Sequence, residues 1–128
     1  MVRPKLPHPT AAELEVLQIL WECGPATVRE VLDALPRKRA YTSVMSLLNV
    51  MFEKELVTRE PEGRAFRYAA RHDPGHHQGN MLDDLLDRVF SGSASALVAR
   101  LLEQAEPSEE ELDEIRRHIR RHRQQRKN

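Results

Sequence analysis

The chain has 128 residues, a formal net charge of zero, 31% charged side chains and only 5% aromatic ones. That length holds one domain, or a small domain with an appendage, and excludes a second large core and a deep catalytic cleft. No run approaches the roughly 18 uninterrupted apolar residues of a membrane span, and Met1-Val2-Arg3-Pro4 lacks an apolar signal region, so a cytoplasmic location is expected.

The first helix is predicted from about Ala11 to Cys23. Thr10 and Glu13 supply a capping box, and Leu14, Val16, Leu17, Ile19, Leu20 and Trp21 form the apolar content. Gly24-Pro25 ends it: Gly24 supplies a left-handed cap and Pro25 forbids continuation. Cys23, the single cysteine, can form no internal disulfide and is expected to be buried in this apolar pattern.

A second helix, about Val28 to Leu35, follows another capping box, Thr27 and Glu30. Val28, Val31, Leu32 and Leu35 form its stripe, and Pro36 stops it. After the basic turn Arg37-Lys38-Arg39, a third helix from about Thr42 to Lys54 repeats the spacing with Val44, Leu47, Leu48 and Met51. Its opposite face is centred on Thr42, Ser46, Asn49 and Glu53, flanked by Ser43, Met45 and Val50. Two extended runs, Leu56 to Arg59 and Arg64 to Ala69, are joined by Glu60-Pro61-Glu62-Gly63 and predict a hairpin whose glycine takes positive φ. Three helices and a hairpin are the winged-helix order, a mainly α fold with a small β-hairpin.

Charge is uneven despite the zero total. Between Arg37 and Arg71 eight basic residues face four acidic ones, so this segment carries the local basic excess that nucleic-acid binding needs.

Periodicity breaks at Arg71-His72-Asp73-Pro74-Gly75. A domain boundary is therefore placed near His72, with residues 1–72 as a winged-helix domain and 73–128 as a helical dimerisation domain. Asp73 can cap the next helix, with Pro74 at its first position. That helix carries Met81, Leu82, Leu85, Leu86, Val89 and Phe90; Ser91-Gly92-Ser93 breaks it. Another spans about Ala94 to Gln104, and the last follows a third capping box, Ser108 and Glu111, with Leu112, Ile115 and Ile119 on one face. These helices have too little chain to cover their own stripes, so Leu82, Leu85, Leu86, Val89, Leu97 and Leu101 are expected to pair with a second copy. The basic end, Arg116 to Lys127, is expected to be a solvated, frayed tail.

A helix entering the major groove reads base edges from its outer face, which nominates Thr42, Ser43, Ser46 and Asn49; Asn49 could pair bidentately with adenine. Arg37, Lys38 and Arg39 would meet phosphates, Arg64 beside the wing turn could reach a minor groove, and Thr27 at a helix start could hold a phosphate. His72, Asp73, His76 and His77 form a metal-type cluster, but all lie in one linker, so no metal site or cofactor is expected. No histidine–nucleophile pair or glycine-rich phosphate loop appears, and an enzyme is not expected.

The run from Thr10 to Leu17 with Leu20-Trp21, the block Thr27-Val28-Arg29-Glu30-Val31, Tyr41-Thr42-Ser43-Val44 and Gly63-Arg64-Ala65-Phe66-Arg67-Tyr68 together resemble the penicillinase-repressor family of BlaI/MecI/CopY type. The resemblance is strongest to about Ala70. It implies a homodimeric winged-helix repressor on a palindromic operator, with C-terminal helices interlocked between subunits. In some members a membrane sensor-peptidase leads to cleavage of the repressor; the corresponding position here falls near Arg100-Leu101, where those repressors have Asn-Phe, so a regulatory protease is a candidate partner. Copper-responsive members carry a cysteine-rich C-terminal site, which this chain lacks. Members usually carry a basic residue where Val50 stands and a glycine where Glu55 stands. The alternative function is a winged-helix protein-docking module without specific DNA binding.

Overall fold

The structure, a computed structural model, describes residues 8–127. Its element order is α1 (Ala11–Cys23), β1 (Ala26–Thr27), α2 (Val28–Ala34), α3 (Tyr41–Glu53), β2 (Val57–Glu62), β3 (Ala65–Ala70), α4 (Pro74–Arg88), α5 (Ala94–Ala105) and α6 (Glu109–Lys127). Three helices followed by a β-hairpin, with a short strand between the first two helices, make the first part a winged helix.

β3 is the central strand of a three-stranded antiparallel sheet ordered β1-β3-β2. β1 is only two residues long and pairs Ala26 with Tyr68 and Thr27 with Arg67. No periodicity announces a strand that short. The hairpin differs from expectation in length: β2 continues through Glu60 and Pro61 to Glu62, opposite Ala65, so Gly63 and Arg64 alone form the turn. Pro61 is tolerated because β2 is an edge strand with one side free of ladder bonds. Gly63 takes φ 63° and Arg64 does not, the pattern of a type II′ turn matching the strand twist.

One core lies between α1, α2, α3 and the sheet. Val16, Leu17, Val31, Val44, Leu48 and Met51 are fully buried, with Val57 and Tyr68 closing it from the strands. Cys23, contrary to expectation, is exposed: it sits in the last turn of α1, one turn past Leu20, where the core ends. The Thr10–Glu13 and Thr27–Glu30 capping boxes are reciprocal, whereas Ser108 only accepts from Glu111 N–H, at 3.2 Å.

Glu13 does more than cap. It is buried, and its second oxygen accepts from Lys54 Nζ at 2.9 Å, tying α1 to the end of α3. Burial opposes ionisation of this carboxyl, but Thr10 N–H, the Lys54 ammonium and the Thr10 hydroxyl outweigh it and hold its pKa below the usual value.

α3 ends in a Schellman arrangement, with Leu56 N–H donating to Met51 O at 2.9 Å and Glu55 N–H to Phe52 O at 3.0 Å. The residue in the left-handed position is Glu55, with φ 63°, where glycine would be unstrained.

The chain divides into two compact units, one ending at Leu82 and one starting at Asp83. The first unit runs past the composition break near His72 because the start of α4 belongs to it. Asp73 Oδ1 caps α4 by accepting from His76 N–H at 3.0 Å, and Trp21 Nε1 donates to His72 O at 2.8 Å. His77 is buried against the Trp21 ring, centroids 5.8 Å apart, and its Nε2 has no hydrogen-bond partner among the described residues. Burial, followed by the neighbouring His76 and His72, pushes the His77 pKa below its ordinary value; Asp73 opposes this, and His8 adds to the lowering.

In the second unit α5 and α6 contain no buried residue. α6 is continuous to Lys127, so the basic end is helical rather than frayed. Among the described residues no helix is long and apolar enough to cross a membrane.

Two stability outcomes follow. Glu55→Gly should raise stability by about 0.5–1 kcal/mol, the left-handed strain relieved less the added freedom of the unfolded chain, read as a shift of the urea midpoint at constant m. Because the folded pKa of His77 lies below its unfolded value, its contribution is complete above about pH 6.5 and is lost as pH falls through the lower folded value. His77→Leu should flatten the decline in melting temperature across that acid window; an unchanged decline would place the acid sensitivity elsewhere.

Candidate nucleic-acid interface

α3 offers a solvent face and follows the basic turn Arg37-Lys38-Arg39 in the chain. Val44, Leu48 and Met51 turn into the core, which forces Thr42, Ser43, Ser46 and Asn49 outward, and all four are exposed. Met45 and Val50 flank them, 39% and 47% exposed, adding apolar contact area beside the hydroxyls. The N-cap is Ala40, which offers no side-chain cap, so the N–H groups of Tyr41 and Thr42 stay open to an anion while that of Ser43 donates to Ala40 O at 3.0 Å.

Asn49 is less free than its exposure suggests. Its Oδ1 accepts from Arg59 NH1 at 3.2 Å and from the Tyr68 hydroxyl at 3.3 Å. Arg59 in turn lies between two aromatic rings, its guanidinium carbon 4.0 Å from the Phe52 centroid and 4.3 Å from that of Phe66. The amide is thereby fixed in orientation with its carbonyl occupied. Bidentate pairing with adenine needs that carbonyl as well as the NH2, so in this arrangement Asn49 presents only the NH2, a donor toward a purine N7 or a carbonyl edge. Sequence reading missed Arg59 and Tyr68 as partners of Asn49. The alternation that puts Arg59 and Tyr68 on one face of the hairpin was visible, but their register, Arg59 opposite Tyr68, was not.

The basic segment sorts into two groups. Arg39 is half-buried and 3.8 Å from Glu15, Lys54 is bound to Glu13, and Arg59 is stacked. Arg67 grips Glu62 with two nitrogens, at 3.0 and 2.9 Å, and donates to Pro25 O at 2.9 Å, with Glu30 at 3.2 Å. Its hydrogen bond to Glu62 is the main reason its pKa is raised and that of Glu62 lowered. Arg37, Lys38, Arg64 and Arg71 have no such partner among the described residues and stand exposed. Arg64 lies within the two-residue turn at the wing tip instead of beside it.

Thr27 is committed to its helix. Its Oγ1 accepts from Glu30 N–H at 3.3 Å and donates to Glu30 Oε1 at 3.0 Å, while its own N–H also donates to Glu30. These bonds hold Glu30 below the usual carboxylate range and place a negative charge beside the threonine, which disfavours a phosphate there.

The residues expected to pair two chains are open in the single chain. Leu82, Leu85, Val89 and Leu101 are 43–65% exposed, and Leu86 and Leu97 are half-buried. Val98 and Ile119 extend the exposed apolar set. Among the described residues no group of three or more His, Cys, Asp or Glu side chains is arranged to hold a metal ion, although the His72 and His76 rings stack at 3.8 Å.

Comparison with known proteins places these features in a family. The family model described as Penicillinase repressor matches residues 9–121. The Transcriptional regulator BlaI of Mycobacterium tuberculosis (strain ATCC 25618 / H37Rv) is 43% identical over 63 residues, covering 47% of this chain and 46% of that protein. An uncharacterised 16.5 kDa protein in the ptsI 3′ region of Latilactobacillus sakei is 33% identical over 63 residues, 48% of this chain and 43% of that one. The match thus spans less than half the length of these relatives. Among solved structures, a MarR family protein from Bacillus stearothermophilus aligns with TM-score 0.48 at 21% identity, covering 98% of this chain and 78% of its own. Reduced AbfR bound to DNA aligns with TM-score 0.46 at 21% identity, covering 75% and 71%. With its family model matched over nearly the whole chain, this protein belongs to the penicillinase repressor family.

Proposed function

We propose that this protein represses transcription by binding, as a homodimer, a palindromic operator in duplex DNA. The observation that carries the reading is the outer face of α3: Thr42, Ser43, Ser46 and Asn49, small and uncharged, with the exposed Arg37 and Lys38 just before the helix and Arg64 at the wing tip. Small polar groups can enter a major groove without repelling phosphates, and the flanking cations meet the backbone. Among the residues centred on that face only Glu53 is acidic, which disfavours the protein-docking alternative. A palindrome follows from a two-fold dimer, each copy reading one half-site.

The dimer reading rests on α4 and α5, where Leu82, Leu85, Val89 and Leu101 stay open in the single chain. Two weak half-site contacts gain affinity when linked, so undoing the dimer releases the operator without touching α3. A cut near Arg100-Leu101 fits that route: both side chains are exposed, and α5 holds no buried residue to anchor it.

Selection of bound sequences from randomised DNA tests the central reading. The expected result is an enriched palindrome; a well-folded protein that enriches nothing supports the docking alternative. Asn49→Ala should weaken binding to the selected duplex by about 1 kcal/mol, the worth of one hydrogen bond, while sparing random DNA, and equal weakening on both would reduce Asn49 to a positioning residue. Leu85→Asp with Leu101→Asp should convert the dimer to a monomer in sedimentation, with operator affinity falling in parallel. Immunoblots across inducing conditions address release: full-length repressor leaving its operator intact would rule cleavage out.

A further inference from the structure

The last twelve residues of α6, 116–127, contain seven Lys or Arg, two His and no acidic residue. At about 100° per residue, Arg116, Arg120, Arg123 and Lys127 recur at i, i+4, i+7 and i+11 and fall within about 60° of arc, a single stripe about 16 Å long. All four are exposed. No carboxylate lies within ion-pair distance of any of them among the described residues; within this stretch Arg121 NH2 meets His118 Nδ1 at 2.7 Å, off the stripe.

This arrangement works against the helix that carries it. Like charges four apart, as in Arg116/Arg120 and Lys127/Arg123, repel along one face. The helix macrodipole welcomes cations only in the last turn, which accounts for Arg126 and Lys127 but not for Arg116, Arg120 or Arg123. A regular row of anions would offset the repulsion. Duplex DNA presents one phosphate per 3.4 Å of each strand, close enough to serve every cation of the stripe. A bilayer is a poorer match, because the apolar stripe Leu112, Ile115 and Ile119 stops at Ile119 and residues 120–127 offer no apolar side chain to insert.

We propose that Arg116, Arg120, Arg123 and Lys127 form a second, sequence-independent contact that grips the phosphates of duplex DNA. The inference rests on the reading that the winged helix binds DNA, and adds to it a component that carries affinity and salt dependence but no base discrimination. It assigns the basic end of α6 a role separate from the dimer surface of the apolar side chains.

The test is a salt titration of the full-length protein on a random-sequence duplex and on the duplex recovered by selection. With Arg116→Gln, Arg120→Gln, Arg123→Gln and Lys127→Gln combined, affinity for both duplexes should fall by the same factor, about tenfold or more at low salt. The slope of log K against log salt should shrink by up to about 0.9 for each phosphate no longer neutralised, and the ratio between duplexes should not move. Arg116→Lys, Arg120→Lys and Arg123→Lys together should keep the wild-type slope. A glutamine variant with wild-type helix content by circular dichroism and an unchanged slope overturns the proposal and leaves operator reading by α3 intact. If that variant loses helix, Arg120→Gln with Arg123→Gln is set against Arg117→Gln with Arg121→Gln: a slope reduced only by the first pair upholds the stripe, equal reductions replace it with diffuse charge, and no reduction by either overturns it. Wild-type protein that binds no duplex at any salt sinks both readings. Binding to phosphatidylserine vesicles that depends on the stripe, with duplex binding independent of it, makes the partner a bilayer and also overturns the proposal.

Discussion

The outer face of α3 is tied to the core through one hydroxyl. Tyr68 lies on β3, the central strand, and is 2% exposed, with its ring in the core and its oxygen reaching Asn49 on α3. A buried phenol needs a hydrogen-bond partner, and the partner here is a side chain of the outward face. Arg59, on the neighbouring strand and stacked between Phe52 and Phe66, binds the same amide oxygen. Both strands of the hairpin therefore hydrogen-bond to one atom of α3, the Asn49 Oδ1. A substitution in the hairpin that shifts Tyr68 or Arg59 also turns the amide of Asn49.

Much of the cationic charge between Arg37 and Arg71 is engaged inside the winged helix. Arg67 links β3 to Glu62 on β2, to Pro25 O and to Glu30 on α2, and Lys54 closes α3 onto Glu13 of α1. Arg67 thereby ties β2 and the start of α2 to the central strand, and Lys54 ties the end of α3 to the start of α1. The charges left for an outside partner sit where the backbone is loop or turn: Arg37 and Lys38 before α3, Arg64 at the hairpin tip and Arg71 after β3. Local electrostatics are consequently less basic at the sheet and more basic at the loops than a count along the chain implies.

The two units use their apolar residues differently. In the first, thirteen of the described hydrophobic residues close into a single buried cluster. In the second, helices with clear amphipathic patterns leave Leu85, Val89, Val98, Leu101 and Ile119 open, and no side chain of α5 or α6 is buried. Exposed apolar side chains recurring on amphipathic helices are the surface on which the proposed pairing with a second copy rests.

Much of this architecture was legible in the amino-acid order because it is set by local rules. Apolar spacing places the ends of α1, α2 and α3 within a residue or so of those observed, capping side chains mark the starts of α1 and α2, and Gly63 marks the hairpin turn because few other residues adopt its φ cheaply. Asp73 and Pro74 open α4 as their chemistry dictates. What tertiary structure alone decided is where chain segments distant in sequence meet. β1 exists as a strand only because β3 pairs with it, and Pro61 stays in a strand only because β2 is at the edge. Cys23 is exposed because the core stops one turn short of it, and the first unit takes in the start of α4 because His77 packs on Trp21. Which arginines are free, and which face of Asn49 is open, depends on the same long-range register. A hydrogen bond between side chains 10 or 19 residues apart, such as Arg59 or Tyr68 to Asn49, has no period and no local cap, so no local pattern reports it.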